Sequence, residues 1–390
     1  MLRSLPLSAL VAGQVAVLVS ASSNLPLFVQ MFAALNFTAG QAVSSLASMY
    51  LALAALGAAL CLVYRAPIIL GWNTAGLVVL IAEGDRFTPG EAVGALMIAA
   101  FVLLVLGLTG LFDWIAKRLP PPLAAALLAG VLLPFVLRGI AAIQVSPAML
   151  LPMFGAYVVA RALIPRWAVP VSLVVGVTAA ALMGALQPGQ PQPAFHLEWI
   201  RPEMSWQAVV AITLPSVLLA VASQNVPGLA ILSVSGYGRV PPRPLVSLTG
   251  LGGLLAAPFG SVTLNLGAIT AAICTGPDAH PDPAKRYVAG LSCAAGYLLL
   301  GLNAGVLLGL ASVFPAPLLQ AVAGLALLGP LLVGREGTLS AEARWREAAL
   351  LTLVVTASGV AWLGLSAPVW GLGLGWGLAW LRGWRERRTS

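Results

Sequence analysis

Charged residues are scarce in this sequence. Asp, Glu, Lys and Arg make up 8% of its 390 residues, whereas 60% are hydrophobic; an average soluble protein has about 25% charged residues. Segments 92–111 and 291–310 carry no charge, and at about 20 residues each they can cross about 30 Å of hydrocarbon as helices. This composition excludes a water-soluble fold and predicts an all-α integral membrane protein.

Histidine and cysteine are also rare. The chain has two His and three Cys residues, and their spacing does not resemble a metal site or a disulfide framework. Cys61, Cys274 and Cys293 lie within apolar segments, which is typical of small packing residues. We expect no metal and no cofactor, and the lack of a dense His, Cys or acidic motif disfavours an integral-membrane enzyme.

The net charge of +8 is carried by basic residues that are spread over short connections. A nucleic-acid-binding protein would gather them on one face, so we expect no nucleic-acid partner. Lys and Arg instead indicate topology, because the cytoplasmic loops of membrane proteins are enriched in them.

Gly, Pro and charge clusters divide the hydrophobic sequence into candidate spans that would lie in a lipid bilayer. Fourteen such spans are predicted. Their bounds are 7–35, 40–64, 67–82, 91–111, 121–138, 147–163, 167–186, 207–236, 244–257, 259–275, 286–310, 316–333, 346–364 and 368–382.

The basic residues are distributed unevenly between the two sides of this topology. If both termini are cytoplasmic, the outer connections hold only Arg86, Arg138 and Arg201, and the other 17 of the 20 Lys and Arg residues lie inside. This asymmetry has the form of the positive-inside rule. It predicts that both termini are cytoplasmic.

Two short patterns are repeated along the chain, at offsets near 201 and 192 residues. Ser22-Ser23-Asn24-Leu25-Pro26 in span one resembles Ser223-Gln224-Asn225-Val226-Pro227 in span eight. Ala66-Pro67 precedes Asn73 in span three, as Ala257-Pro258 precedes Asn265 in span ten. The matches imply two seven-span halves, 1–190 and 191–390, and an odd number of spans makes the repeat inverted. Such repeats place a binding site between discontinuous helices near the midplane.

Spans three and ten are short and interrupted by Gly and Pro. This pattern predicts that each begins extended and turns helical near Asn73-Thr74 and near Asn265. Their free N–H groups and positive dipole ends would then meet at one carboxylate site. The predicted substrate-binding residues come from spans one, three, eight and ten, and are Ser22, Ser23, Asn24, Trp72, Asn73, Thr74, Gln224, Asn225, Phe259, Thr263 and Asn265.

The alternative interpretation of these amides and hydroxyls is structural. They lie close to Pro26, Pro67, Pro227 and Pro258, and proline leaves backbone groups that neighbouring side chains must satisfy in a membrane. Polar groups that converge inside a membrane are nevertheless costly and usually functional. The cluster as a whole therefore favours binding.

No Asp, Glu, Lys, Arg or His lies at the centre of spans one, three, eight or ten. A site for neutral nucleobases would need a carboxylate to accept ring N–H donors, whereas an anion site would avoid one. The same absence leaves proton coupling without an obvious carrier. The candidates are Asp278 and His280 at the inner end of span ten, because His side chains ordinarily titrate near neutrality. The alternative for both residues is a rigid solvated loop.

The most specific motifs lie between residues 215 and 300. They are Ser223-Gln224-Asn225-Val226-Pro227-Gly228, Ala257-Pro258-Phe259-Gly260, Asn265-Leu266 and 268–274. With them the chain resembles the BenE-type benzoate:proton symporters. The resemblance implies a uracil-permease-like fold with a core domain of spans 1–4 and 8–11 and a gate domain of spans 5–7 and 12–14. It also implies that the strongest substrate-site candidates are Asn73, Gln224, Asn225 and Asn265.

We therefore expect a secondary active transporter that imports benzoate or a similar aromatic carboxylate with protons by alternating access. Its expected location is a bacterial-type cytoplasmic (inner) membrane, and a homodimer is left open. The alternatives are a nucleobase or inorganic-anion transporter of the same fold and, from another class, an anion channel.

Overall fold

The computed structural model describes residues 6–118, 120–189, 192–267, 269–339, 343–360, 362 and 367–389. Three predicted positions lie outside the described residues: the boundary between the halves at 190/191, residue 268 of the motif after Asn265, and the end of the thirteenth span at 364. The described chain is mainly helical and contains two strands of three residues each.

The helices and strands of the described residues are numbered here in chain order. Their bounds are α1 Leu7–Ala34, α2 Ala39–Tyr64, β1 Leu70–Trp72, α3 Thr74–Glu83, α4 Pro89–Thr109, α5 Leu111–Arg118, α6 Pro121–Ala141, α7 Pro147–Leu163, α8 Ala168–Leu182, α9 Trp206–Tyr237, α10 Pro242–Ala256, β2 Leu264–Leu266, α11 Ile269–Thr275, α12 Tyr287–Leu302, α13 Ala304–Ser312, α14 Ala316–Leu339, α15 Ala343–Ala357 and α16 Ala367–Thr389.

Length and hydropathy identify the helices that can cross a membrane. Within the described residues, α1, α2, α4, α6 and α9 are long and apolar enough, and α12 with α13 passes the same test as a bent pair. The helices α7 and α8 and the first part of α14 are shorter but also apolar. The chain is therefore a multi-pass membrane protein.

The span predicted at 286–310 is not one straight helix. The helices α12 and α13 meet at an angle of 69° on either side of Asn303, whose side chain donates to the carbonyl of Leu299 at 2.9 Å. The N–H of Gly305 donates to the carbonyl of Ala194 at 3.2 Å. A side-chain bond and a tertiary bond thus satisfy backbone groups where the helix breaks.

The predicted change from extended to helical structure is confirmed in two segments. Strand β1 precedes α3 and strand β2 precedes α11, and the two strands pair antiparallel with Gly71 opposite Asn265. Arg65 ends α2 with a φ of 50°, and Gly260 turns the chain after α10 with a φ of 88°. Left-handed residues of this kind commonly terminate helices. In both segments the chain is therefore extended before it becomes helical.

Helix α9 departs from regular α-helix at three places: Val209–Thr213 and Ala220–Asn225 are π-helical turns, and Ser233–Tyr237 is kinked at Gly236, whose φ is 92°. Pro227 has no N–H and its ring crowds the preceding turn, so regular α-helical bonding cannot continue past it. Such wide turns occur frequently at functional sites. The middle turn contains the repeated Ser223-Gln224-Asn225 pattern, and the extra residue per turn changes the directions in which these side chains point.

Glycine allows two long helices to cross closely. A Cβ atom on Gly139 of α6 would lie 2.6 Å from the Cα of Gly324 in α14. Small residues at such crossings let backbones approach within a membrane, where packing holds helices together. These helices are the predicted spans five and twelve, which have corresponding places in the two halves.

The segment 192–205, here called the strap, lies across the ends of three helices. The N–H of Glu198 donates to the hydroxyl of Ser44 in α2 at 2.9 Å. The N–H groups of Ile200 and Glu203 donate to the carbonyls of Pro258 and Gly90, at 2.8 and 2.9 Å. The strap therefore joins α2, α4 and the end of α10 on the side that the sequence predicts to be outside.

Candidate functional site

A cavity of about 370 Å³ lies between two groups of elements. One wall is formed by α1, β1, α3, α9, α11 and α12, and the other by α7, α8 and α14. Polar residues cluster on the first wall, and they are Ser20, Ser23, Asn24, Thr74, Gln224 and Thr270. Ligand pockets of about this size with a few converging polar groups are typical of small-molecule sites.

The polar wall is built around the start of α3. Thr74, the first residue of α3, donates through its hydroxyl to the Oδ1 of Asn24 at 3.1 Å, and the Nδ2 of Asn24 donates to the carbonyl of Ser20 at 3.0 Å. The first N–H groups of a helix have no acceptor within it and carry a partial positive charge. The wall therefore presents hydroxyls and a helix N-terminus to the cavity.

Gln224 reaches the same wall from the π-helical turn of α9. Its amide has no hydrogen bond to another described residue, whereas the hydroxyl of Ser23 donates to the carbonyl of Val19 at 2.6 Å. An amide without a protein partner keeps its donors and acceptor for water or a ligand. Gln224 is thus the polar residue of this wall with the most hydrogen-bonding capacity to offer.

Aromatic rings form the deeper part of the same wall. Trp72 and Tyr297 line the cavity, and their ring centroids lie 6.2 Å apart in an edge-to-face arrangement. Phe28 and Tyr50 support Trp72 from behind, with centroid distances of 5.4 and 5.8 Å. Such edge-to-face contacts hold each ring in place, so the cavity has a rigid aromatic surface next to its polar groups.

The opposite wall is mostly apolar. It includes Val169 of α8 and Leu325, Leu327 and Pro330 of α14. The exception is the end of α7, where Tyr157 and Arg161 line the cavity. The cavity therefore combines a polar and aromatic wall with an apolar one, and its one described charged lining residue is basic.

Three predicted binding residues do not reach the cavity. Asn225 is fully buried; its Nδ2 donates to the Oδ1 of Asn265 at 3.2 Å, and its Oδ1 accepts from the N–H of Leu266 at 3.0 Å. The Nδ2 of Asn265 in turn donates to the carbonyl of Thr263 at 3.1 Å. In this structure the polar groups of Asn225, Asn265 and Thr263 therefore bond to one another and to the backbone of β2, and their role in substrate binding stays a prediction.

Asn73 and Ser22 are also absent from the described cavity lining. Asn73 is buried, and its Nδ2 donates to the carbonyl of Ser216 in α9 at 3.0 Å. The hydroxyl of Ser22 donates to the carbonyl of Val19 within α1. Both side chains donate to backbone carbonyls. Their contacts are therefore those expected if these residues satisfy the backbone rather than bind substrate.

Phe259, a predicted binding residue, is absent from the described cavity lining. Its ring packs edge-to-face against Trp199 of the strap, with centroids 5.6 Å apart, and it does not line the cavity. The reason is the turn at Gly260, which directs the chain inward only after Phe259. Of the two predicted aromatic residues, only Trp72 lines the described cavity, and Tyr297 is a second ring in the lining.

Asp278 and His280 do not line the cavity either. They lie in the loop after α11, where the Nδ1 of His280 accepts from the N–H of Asp282 at 3.0 Å. Arg286 binds the same loop by donating to the carbonyls of His280 and Thr275, at 2.7 and 2.9 Å. The observed contacts are those of the rigid loop, and the proposed proton-coupling role gains no support from the geometry.

Five polar, charged or aromatic lining residues were not predicted from the sequence: Ser20, Tyr157, Arg161, Thr270 and Tyr297. Thr270 lies in the motif after Asn265, so its position in the sequence could have indicated that it belongs to the site. Tyr297 is an isolated aromatic residue in an apolar span. Arg161 counts among the basic residues of an inner connection, and nothing in its sequence context indicates that it faces a cavity.

This fold is shared with solved membrane transporters. The transmembrane domain of the cyanobacterial bicarbonate transporter BicA matches with a TM-score of 0.62 at 14% identity, covering 94% of this chain and 97% of that one. The inward-facing structure of the murine anion transporter Slc26a9 matches with a TM-score of 0.68 at 14% identity, covering 98% of this chain and 69% of that one. The fold and the apolar helices therefore define a helical, multi-pass membrane protein with an internal cavity.

Sequence comparison identifies the family. Residues 3–381 match the family described as benzoate membrane transport protein. The chain is 34% identical over 376 residues to the benzoate membrane transport protein of Acinetobacter baylyi, covering 95% of this chain and 93% of that protein. It is 33% identical over 378 residues to the inner membrane protein YdcO of Escherichia coli, covering 95% of each. The chain belongs to the benzoate membrane transport protein family, which confirms the resemblance, and it is a transporter rather than an enzyme.

Proposed function

We propose that this protein is a secondary active transporter that imports benzoate or a similar small aromatic carboxylate together with protons. The observation that carries the proposal is the two-sided cavity. Its polar wall offers Thr74, Gln224 and the start of α3 to a carboxylate, while Trp72 and the apolar wall offer a surface for a ring. The name of the relative in Acinetobacter baylyi supports the same substrate.

The charge of the cavity supports an anionic ligand. No Asp or Glu is among its described lining residues, and Arg161 is basic. A helix N-terminus stabilises negative charge by about 0.3–1 kcal/mol at exposed sites and more when partly buried. A neutral nucleobase would gain little from these groups, and it would find no carboxylate to accept its N–H donors.

The proposed mechanism is alternating access between two domains. Spans 1–4 and 8–11 would form a core that carries the polar wall, and spans 5–7 and 12–14 a gate that carries the apolar wall. Fourteen spans in two inverted repeats are supported by the β1–β2 pair and by the crossing of α6 and α14 at Gly139 and Gly324. A homodimer stays a prediction.

Proton coupling is proposed from the resemblance to benzoate:proton symporters. It is tested by uptake of labelled benzoate into proteoliposomes, with and without an imposed pH gradient. We expect uptake to accelerate when the outside is acidified, and to accumulate benzoate above its outside concentration. Accumulation beyond that in protein-free liposomes under the same pH gradient separates a carrier from passive entry of neutral benzoic acid and from an anion channel, which can only equilibrate the anion with its electrochemical gradient.

The proposed topology makes both termini cytoplasmic and the strap external. The three native cysteines are buried, so a membrane-impermeant maleimide reports on introduced thiols. On intact cells we expect labelling of M204C, because Met204 is 79% exposed in the strap, and no labelling of R239C, between α9 and α10, until the cells are opened. The reverse pattern would contradict the orientation.

A further inference from the structure

Arg161 is the charged side chain among the described residues that line the cavity. It lies in the last turn of α7, one helical turn after Tyr157, on the wall opposite Thr74 and Gln224. No ion pair or hydrogen bond joins it to another described residue. Its positive charge therefore acts on the cavity without a neutralising partner in the described chain.

Most basic residues near the inner ends of spans need no explanation beyond topology. Arg161 differs from them because its side chain is exposed on the cavity rather than only on the surface. Arg138 of α6, which also belongs to the proposed gate, provides the contrast. It is also exposed, but its guanidinium lies over the ring of Phe135, 5.4 Å from the centroid, and it does not line the cavity.

We propose that Arg161 is a positioning residue for the anionic substrate on the cytoplasmic side. It attracts the carboxylate into the cavity and stabilises the anion while the cavity is open to that side. This inference rests on the proposed function, which gives the substrate its negative charge and places the α7–α8 connection inside.

The position of Arg161 on α7 makes its effect depend on the conformational state. The polar wall belongs to the proposed core and Arg161 to the proposed gate, so movement of the core carries the bound anion away from the guanidinium. Coulomb attraction falls with distance and is screened by salt over about 8–10 Å. Arg161 therefore acts on binding from the inside and contributes little to binding from the outside.

The test compares three variants of the purified full-length protein. At about 0.05 M ionic strength, R161Q should bind benzoate about five- to tenfold more weakly than the wild type, with the difference shrinking to about twofold near 0.5 M salt. R161K keeps the charge and should stay within about twofold of the wild type. R138Q makes the same charge change away from the cavity and should leave affinity unaltered.

The KM for benzoate can be measured separately from each side of the membrane. A role of Arg161 in topology alone would not change the KM from one side only. In inside-out membrane vesicles the KM for benzoate should rise in R161Q by the same five- to tenfold factor, whereas in right-side-out vesicles it should stay near the wild-type value. An unchanged affinity and an unchanged inside KM in R161Q would overturn the proposal, as would equal changes from both sides.

A small panel of anions separates this inference from the proposed substrate. Benzoate, acetate and bicarbonate carry the same negative charge on different bodies, so R161Q should weaken each anion that binds by a similar factor. A wild type that prefers bicarbonate would contradict the aromatic substrate, while the loss in R161Q for bicarbonate would still support Arg161. If benzoate were the best ligand of the wild type, but its affinity fell in R138Q and not in R161Q, the role of Arg161 would be contradicted and the proposed substrate would stand.

Discussion

The N225A variant is expected to lose about 2–6 kcal/mol of stability, from two unsatisfied buried groups. The substitution leaves the N–H of Leu266 and the Oδ1 of Asn265 without their partner in a fully buried position. Each unsatisfied buried group costs about 1–3 kcal/mol, and the membrane interior offers no water to replace the lost bonds. The measurement is the thermal unfolding midpoint of the purified protein in detergent.

Asn24 provides the matched control, because it holds the corresponding place in the first half, 201 residues earlier. It is only half-buried and lines the cavity, so water can take over its hydrogen bonds to Thr74 and Ser20. We expect N24A to unfold near the wild-type temperature. Equal midpoints for N225A and the wild type would show that the buried amide does not hold β2.

The second large effect is expected on binding, in Q224A. The Gln224 amide lines the cavity and has no hydrogen bond to another described residue, so its removal should leave the folded protein stable. Loss of a polar partner to a desolvated carboxylate costs about 1–3 kcal/mol, which corresponds to a Kd for benzoate about 5- to 150-fold higher.

Ser22 is a suitable control for the binding experiment. It belongs to the repeated pattern in span one, but its hydroxyl donates to the carbonyl of Val19 and does not line the cavity. S22A should therefore change the Kd by less than about twofold. If S22A and Q224A weakened benzoate equally, or if Q224A bound normally, the assignment of Gln224 to the substrate would be wrong.

Much of the fold could be predicted because hydropathy and helix-breaking residues act locally. The apolar segments set the helix positions, and Pro67 and Pro258 before the polar residues Asn73 and Asn265 indicated where extended chain enters the interior. The strands at Leu70–Trp72 and Leu264–Leu266 confirm that interpretation. The bend at Asn303 was missed because it depends on a bond to Ala194, far away in the sequence.

The directions of side chains at the site could not be predicted from the pattern. Gln224 and Asn225 are neighbours in one motif, yet one lines the cavity and the other is fully buried against Asn265. The π-helical turn that contains them offsets side-chain directions from regular helical spacing. The contacts therefore divide the polar cluster: some amides satisfy backbone groups and others face the cavity, where their binding role stays a prediction.

Arg161 illustrates a second limit of the sequence. Its place among the basic residues of the inner connections was enough to use it for topology, but facing a cavity depends on how α7 packs beside α8 and α14. That packing involves residues from both halves of the chain. A charge that lines a cavity can therefore be recognised only once the helices are assembled.

The most direct test of the account is competition for labelled benzoate uptake in proteoliposomes by benzoate, benzamide and uracil. A simple carboxylic acid has a pKa of about 4, so benzoate is an anion at neutral pH, whereas benzamide has the same ring without the charge. The account predicts strong competition by unlabelled benzoate, competition by benzamide that is weaker by at least about tenfold, and none by uracil. Equal competition by benzamide and benzoate would contradict the anion site, and strong competition by uracil would favour the nucleobase alternative.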